Sequence, residues 1–113
     1  MKINLLQPIL DFEGVQYVEP VYDMVDDKPI KVREVRLDLK TIIMRGLNHL
    51  PKDKEISPET IYDRGKLISK VRSNDEVDLS AKQIEEIKKC VAKITSPFVT
   101  FQVWEMLDKE PND

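Results

Sequence analysis

The chain has 113 residues, of which 41% are hydrophobic and 35% charged, and it carries a net charge of −3. This length supports one hydrophobic core and excludes two independent domains. One cysteine and one histidine exclude an internal disulfide and the common zinc-binding sets. The apolar runs are too short for a transmembrane helix, and the first residues lack the apolar stretch of a secretory signal. We therefore expect a protein of the cytoplasm, with a single globular domain over residues 1–108 and a charged tail at 109–113.

Charge is distributed along the chain in three blocks. The net charge is −4 over residues 1–30, +5 over residues 31–72 and −4 over residues 73–113. A basic block between acidic ones either binds an acidic partner or nucleic acid, or pairs with its flanks inside the fold. Both readings stay open on composition alone.

The N-terminal third shows the pattern of short strands. Residues 3–10 are mostly apolar and the pattern resumes at residues 15–18, which predicts a β-hairpin with a tight turn at Gly14. Pro8 lacks an amide donor, so the first strand is expected at a sheet edge or bulged at that position. Residues 19–29 contain two prolines and four acids, which predicts an exposed loop.

A third strand and two helices follow this predicted loop. Residues 31–37 alternate charged and apolar side chains, which is typical of a strand. Asp38 is a suitable N-cap for a helix over residues 39–49, which a proline then terminates. A second helix over residues 58–72 begins with Ser57 as N-cap and a proline in the first turn.

The second helix has two features with consequences for packing and binding. Gly65 inside it costs about 1 kcal/mol relative to alanine, which predicts a close approach by another helix. One side of the helix is basic and is the best candidate for contact with nucleic acid; its residues are Arg64, Lys66, Lys70 and Arg72.

The C-terminal third predicts two more helices. Ser80 and Gln83 have the spacing of a capping box, and the apolar residues that follow recur with helical periodicity. The Ser-Pro pair at residues 96–97 ends this helix and begins another, over residues 97–107. Together, these elements predict an α+β, mostly helical fold in which an N-terminal β-hairpin precedes about four helices in one small domain.

The last predicted helix is apolar around much of its circumference. Such a helix either lies in the centre of the core, or divides its surface between the core and an interface. Tryptophan is enriched among the residues that dominate binding at protein interfaces. We therefore take the aromatic residues of this helix as candidate partner-binding residues: Phe98, Phe101 and Trp104.

The chain has few residues of the kinds that act in catalysis or bind metals and cofactors. His49 lies near a predicted helix end, where an imidazolium interacts favourably with the helix dipole. Cys90 lies on the flank of a predicted helix and is expected to pack as a small apolar residue. Three isolated glycines do not form a phosphate-binding loop, and no pair of carboxylates has a spacing that indicates acid–base catalysis. These observations predict a protein that is not an enzyme and has no catalytic residue, metal or cofactor.

Several short motifs carry a resemblance to a known group of proteins. They are residues 9–14 (ILDFEG), residues 76–80 (EVDLS), the Ser-Pro-Phe-Val segment at 96–99 and residues 102–107 (QVWEML). In this order the motifs resemble small uncharacterised proteins encoded by tailed phages and prophages, over about two thirds of the chain. The resemblance implies phage origin and an accessory or assembly role, and it transfers no functional residue.

These observations lead to one expected function and two alternatives. We expect a phage-encoded, non-enzymatic interaction protein that assists assembly or regulation in a bacterial host and binds a protein partner through its last helix. The first alternative is a nucleic-acid-binding accessory protein that uses the basic residues 31–72. The second is a structural subunit that forms homo-oligomers through the same apolar helix. Nothing in this pattern indicates contact with a membrane.

Overall fold

The computed structural model describes residues 1–51 and 55–109. Four strands and four helices make up the regular structure of this part of the chain. In order, they are β1 (Lys2–Asn4), β2 (Val18–Val25), β3 (Lys28–Arg36), α1 (Leu39–Asn48), α2 (Pro58–Arg72), β4 (Glu76–Asp78), α3 (Ala81–Ala92) and α4 (Pro97–Asp108). The α+β, mostly helical fold and the N-terminal β-hairpin are therefore confirmed. The predicted tail begins at Lys109, and its remaining residues lie outside the described part.

The regular hairpin lies later in the chain than the sequence pattern predicts. β2 and β3 pair antiparallel across a two-residue turn at Asp26 and Asp27, which both have positive φ angles (52° and 61°). Such a turn matches the twist of a hairpin, and aspartate tolerates the left-handed conformation better than most residues. The prediction of a loop over residues 19–29 is therefore wrong, because its acidic residues form a tight turn and a strand.

The predicted turn at Gly14 is present but does not connect two regular strands. Gly14 has a φ of +81°, and only an isolated bridge between Leu10 and Gln16 pairs the flanking segments. β1 instead pairs with β4, with Ile3 opposite Val77. The sequence gives little sign of this pairing, since each strand has three residues and the two are far apart in the chain.

Helix starts follow the predicted caps. Asp38, Ser57, Ser80 and Ser96 each accept a hydrogen bond from the backbone N–H three residues later. The capping box is complete, because the Gln83 side chain also accepts from the Ser80 backbone N–H at 2.9 Å. These caps satisfy N–H groups that have no partner within the helix.

The core lies between the helices and the β1–β4 pair. The fully buried side chains include Ile43 of α1, Val71 of α2, Ile87 of α3 and Val103 of α4. No helix in the described residues has the length and apolar character needed to cross a membrane.

Helices α1 and α3 approach each other closely at Gly46 of α1. A Cβ atom built on Gly46 would lie 3.1 Å from both the Cγ2 and the backbone N of Val91 in α3. The expectation for Gly65 is wrong, since a Cβ atom there would have no neighbour within 4 Å. Gly65 lies on the exposed side of α2. Gly46, which the sequence pattern did not single out, is the glycine that lets two helices approach.

Candidate protein-interaction surface

A row of aromatic side chains lies on the outer side of α4, and a ring from the N-terminal segment adjoins it. Phe98, Phe101 and Trp104 follow one another at three-residue spacing, which places them side by side along the helix. The ring of Phe12, from the turn before Gly14, lies against the ring of Phe98 with centroids 4.9 Å apart. We call these four residues the aromatic stripe. Phe12 is 84% exposed, Phe101 60% and Trp104 40%, whereas Phe98 is half-buried, so the stripe presents apolar surface to solvent mainly through Phe12, Phe101 and Trp104.

The opposite side of α4 holds this stripe in place. Val103 and Leu107 are fully buried in the core, which fixes the rotation of the helix about its axis. The Gln102 side-chain amide donates to the Leu10 carbonyl and accepts from the Leu10 backbone N–H, both at 2.8 Å. This pair of bonds docks the N-terminal segment on α4 and thereby brings Phe12 beside Phe98.

Polar contacts orient the tryptophan before any partner binds. The Trp104 indole N–H donates to the backbone carbonyl of Lys88 at 3.3 Å. The Lys88 ammonium lies 5.2 Å from the centre of the Trp104 ring and also pairs with the carboxylate of Asp108. Glu105, one residue beyond the tryptophan, makes no ion pair among the described residues. The exposed side of α4 is therefore an oriented aromatic surface bordered by the carboxylate of Glu105 and by the Lys88–Asp108 ion pair.

A shallow depression adjoins the stripe between the end of α3 and α4. Its apolar wall includes Ala92, Pro97, Phe101 and Trp104. The depression is open to solvent on one side, so it suits a protruding side chain of a partner better than an enclosed small molecule.

The structure brings together all three residues that the sequence predicts for partner binding. It also shows how α4 divides its surface: Val103 and Leu107 belong to the core, whereas Phe101 and Trp104 face solvent. Sequence reasoning missed Phe12. No periodic pattern links it to α4, and only the Gln102 contact with Leu10 reveals its position.

Three of the four basic residues proposed for nucleic-acid contact, Arg64, Lys66 and Lys70, line a groove of mixed charge between α2 and α3, whereas Arg72 lies outside it. Arg64 pairs with Glu86 of α3, with Nε and Nη2 at 2.8 and 2.7 Å from its carboxylate. The Lys70 ammonium donates to the Asp78 carbonyl at 2.6 Å, and that of Lys66 lies 5.4 Å from the ring centre of Tyr62. Arg64, Lys66 and Lys70 thus each contact another residue of the domain, and Lys66 and Lys70 are exposed.

The remaining candidates for chemistry lie apart from one another. His49 forms the C-cap of α1 and is exposed. Cys90 is buried in α3, and desolvation of its thiolate raises the pKa of the thiol. In the described residues, no group of three or more histidine, cysteine, aspartate or glutamate side chains is placed to hold a metal ion.

No protein family model, curated protein or solved structure matches this chain. The functional argument therefore depends on the geometry of the aromatic stripe and on the chemistry of the residues around it.

Proposed function

We propose that this chain is a phage-encoded, non-enzymatic accessory protein of the bacterial cytoplasm that assists assembly or regulation by binding a protein partner through the aromatic stripe. One observation carries the proposal: three of the four rings of the aromatic stripe, those of Phe12, Phe101 and Trp104, are exposed, while the core holds the helix that bears Phe101 and Trp104. Extended apolar patches on a small domain are typical of protein interaction sites. The phage origin is proposed from the sequence motifs alone.

The aromatic side chains of the stripe have properties that suit a protein interface. Aromatic rings bury a large area and lose little conformational freedom when a partner covers them. The indole N–H of Trp104 is already bonded to Lys88, so a partner can cover the ring without leaving a polar group unsatisfied. Orientation before binding lowers the entropic cost of association.

The test is affinity capture from a host lysate with the tagged chain and with Phe101→Asp or Trp104→Asp. A charge in the centre of a desolvated apolar contact is costly, so both variants are expected to lose the captured protein. Phe101→Asp is the primary variant because its ring is the more exposed of the two. Tyr62→Asp is the matched control, since Tyr62 is 67% exposed on α2, away from the stripe.

Circular dichroism separates loss of binding from loss of fold. The proposal requires that Phe101→Asp keeps the helical spectrum and the cooperative unfolding of the parent chain while its capture fails. A partner retained by a folded Phe101→Asp would contradict the proposal. Loss of capture by Tyr62→Asp would move the interface to α2.

A further inference from the structure

The groove between α2 and α3 shares no residue with the aromatic stripe. It encloses about 830 Å³, which lies within the range of about 300–1,000 Å³ typical of sites for small molecules. Lys70 of α2 reaches the Asp78 carbonyl just before α3 begins, whereas Arg64 pairs with Glu86 one turn and a half along α3. The two helices therefore run antiparallel on either side of the groove.

The lining of the groove is positive although the whole chain is negative. Five basic and three acidic residues line it, a net charge of +2 against −3 for the chain. The half next to β4 holds three bases and one acid: Lys66, Lys70, Lys82 and Glu85. The other half holds two of each and is neutral: Asp63, Arg64, Glu86 and Lys89. The positive charge is therefore concentrated at the β4 end of the groove.

Two hydrogen-bond donors at the β4 end are held in place by the backbone. The Lys70 ammonium donates to the Asp78 carbonyl at 2.6 Å, which uses one of its three N–H groups. The Gln83 side-chain oxygen accepts from the Ser80 N–H at 2.9 Å, so the NH₂ group of Gln83 is the end left for a ligand. The two backbone anchors are two residues apart, at most about 7 Å, so both donors belong to one end of the groove.

Lys82 supplies a third donor at the same end. Its side chain is exposed and makes no ion pair with any residue that the structure describes. The capping box already occupies the backbone N–H groups of Ser80 and Gln83. The contacts available to a ligand therefore come from the side chains of Lys70, Lys82 and Gln83, and not from the start of α3.

The charge at this end suits one phosphate group. A phosphate monoester carries a charge of about −1.5 to −2 at pH 7, which the local charge of +2 balances. Ammonium groups form strong charge-assisted hydrogen bonds with phosphate oxygens. Beyond the β4 end the charges of the lining cancel, so the successive phosphates of a nucleic-acid strand would meet a neutral surface.

The rest of the lining indicates a polar ligand. Among the described residues that line the groove none is aromatic, so a nucleobase has no ring on which to stack. Leu67 is the one apolar side chain of this lining, and Thr60 and Ser80 add hydroxyl groups to it. Hydroxyl and charged side chains suit the hydroxyl groups of a sugar.

We infer that the groove between α2 and α3 binds a small sugar phosphate, with the phosphate group at the β4 end between Lys70, Lys82 and Gln83. The Arg64–Glu86 ion pair closes the floor of the neutral half, where the side chain of Arg64 is only 11% exposed. This site is separate from the aromatic stripe, so the chain has one surface for a protein and another for a small molecule.

The test is titration of the chain with ribose 5-phosphate, followed by amide chemical shifts in NMR spectra. Saturable shifts are expected on both sides of the groove, around Lys70 and around Lys82. Ribose without phosphate is the ligand control and is expected to shift neither region.

Lys82→Glu is the primary variant, and Lys93→Glu is its matched control. Both reverse one charge of α3, but Lys93 is the C-cap of this helix and lies outside the groove. Loss of one charge-assisted contact weakens binding by about tenfold or more, which is expected for Lys82→Glu. Lys93→Glu is expected to change the affinity by less than about threefold, because salt screens distant charges. A glutamate in the first turn of a helix is favourable, so Lys82→Glu should keep the circular dichroism spectrum of the parent chain.

Three results would overturn the inference. A lack of shifts in α2 and α3 with ribose 5-phosphate at millimolar concentration excludes a phosphate site in the groove. Equal weakening by Lys82→Glu and Lys93→Glu would show attraction by the overall charge instead of a site. Binding of a single-stranded oligonucleotide without any response to ribose 5-phosphate would assign the lysines to nucleic acid. None of these results affects the capture of a protein by the aromatic stripe, which is measured separately.

Discussion

Alanine substitutions at Gly46 of α1 and Gly65 of α2 test the packing of α1 against α3, because an added methyl group has room at Gly65 and not at Gly46. Alanine in a helix interior is more favourable than glycine by about 1 kcal/mol. At Gly65 a Cβ atom meets nothing within 4 Å, so Gly65→Ala is expected to stabilise the domain by about 0.5–1 kcal/mol.

Gly46→Ala has the same propensity gain and an added steric cost. Its Cβ would lie 3.1 Å from Val91 N and 3.2 Å from Val91 Cα, which are backbone atoms of α3. A backbone in a packed helix cannot rotate away as a flexible side chain can, so α1 and α3 must separate. Overpacking of this kind costs about 1–3 kcal/mol. The net change is therefore a loss of about 0–2 kcal/mol, and the two variants should differ by about 1–3 kcal/mol.

Urea unfolding monitored by circular dichroism measures both variants under one set of conditions. In a thermal melt of a domain of roughly this size, a change of 1 kcal/mol in the free energy of unfolding shifts the melting temperature by about 4–8 °C. The difference between the variants is the decisive quantity, because the propensity gain cancels in it. Equal stabilisation by Gly46→Ala and Gly65→Ala would refute the close approach of α1 and α3.

Three further outcomes test the cap of α1, the docking of the N-terminal segment and the burial of the thiol. Gln102→Ala leaves the N–H and C=O groups of Leu10 without their hydrogen bonds and should lower the free energy of unfolding by about 1–3 kcal/mol. A loss below about 0.5 kcal/mol would contradict the docking of the N-terminal segment on α4. Asp38→Ala removes the N-cap bonds to Thr41 and should cost about 1 kcal/mol in the same assay, whereas Asp38→Asn should recover most of it. Cys90 is buried, and burial raises the pKa of its thiol. A disulfide reagent at neutral pH should therefore label the folded chain only as fast as the domain opens, and should label the chain unfolded in urea at once. Rapid labelling of the folded chain would show that the thiol is accessible.

Local signals in the sequence were sufficient to predict the helices. A capping residue acts on an N–H three positions away, and the apolar periodicity of a helix repeats within four residues, so both are visible in a short window. Asp38, Ser57, Ser80 and Ser96 therefore marked all four helix starts correctly. The aromatic spacing that placed Phe98, Phe101 and Trp104 side by side on α4 is equally local.

Local signals failed where strand pairing decided the structure. A tight turn that contains Asp26 and Asp27 resembles a loop in composition, and only the pairing of β2 with β3 distinguishes it. The β1–β4 pair joins Ile3 to Val77, two positions whose relation no short window contains. β1 and β4 have three residues each, which is too few to produce a periodic pattern.

The sequence by itself thus determined where the helices begin, which side of each is apolar and which aromatic residues share a face of α4. The tertiary structure decided which apolar residues stay exposed, that Gly46 rather than Gly65 is crowded, and that Phe12 extends the aromatic stripe. The physical reason is that capping and periodicity are interactions over a few residues. Exposure and close approach depend on which distant segment covers a residue, as when Gln102 binds Leu10 and leaves the ring of Phe12 beside Phe98.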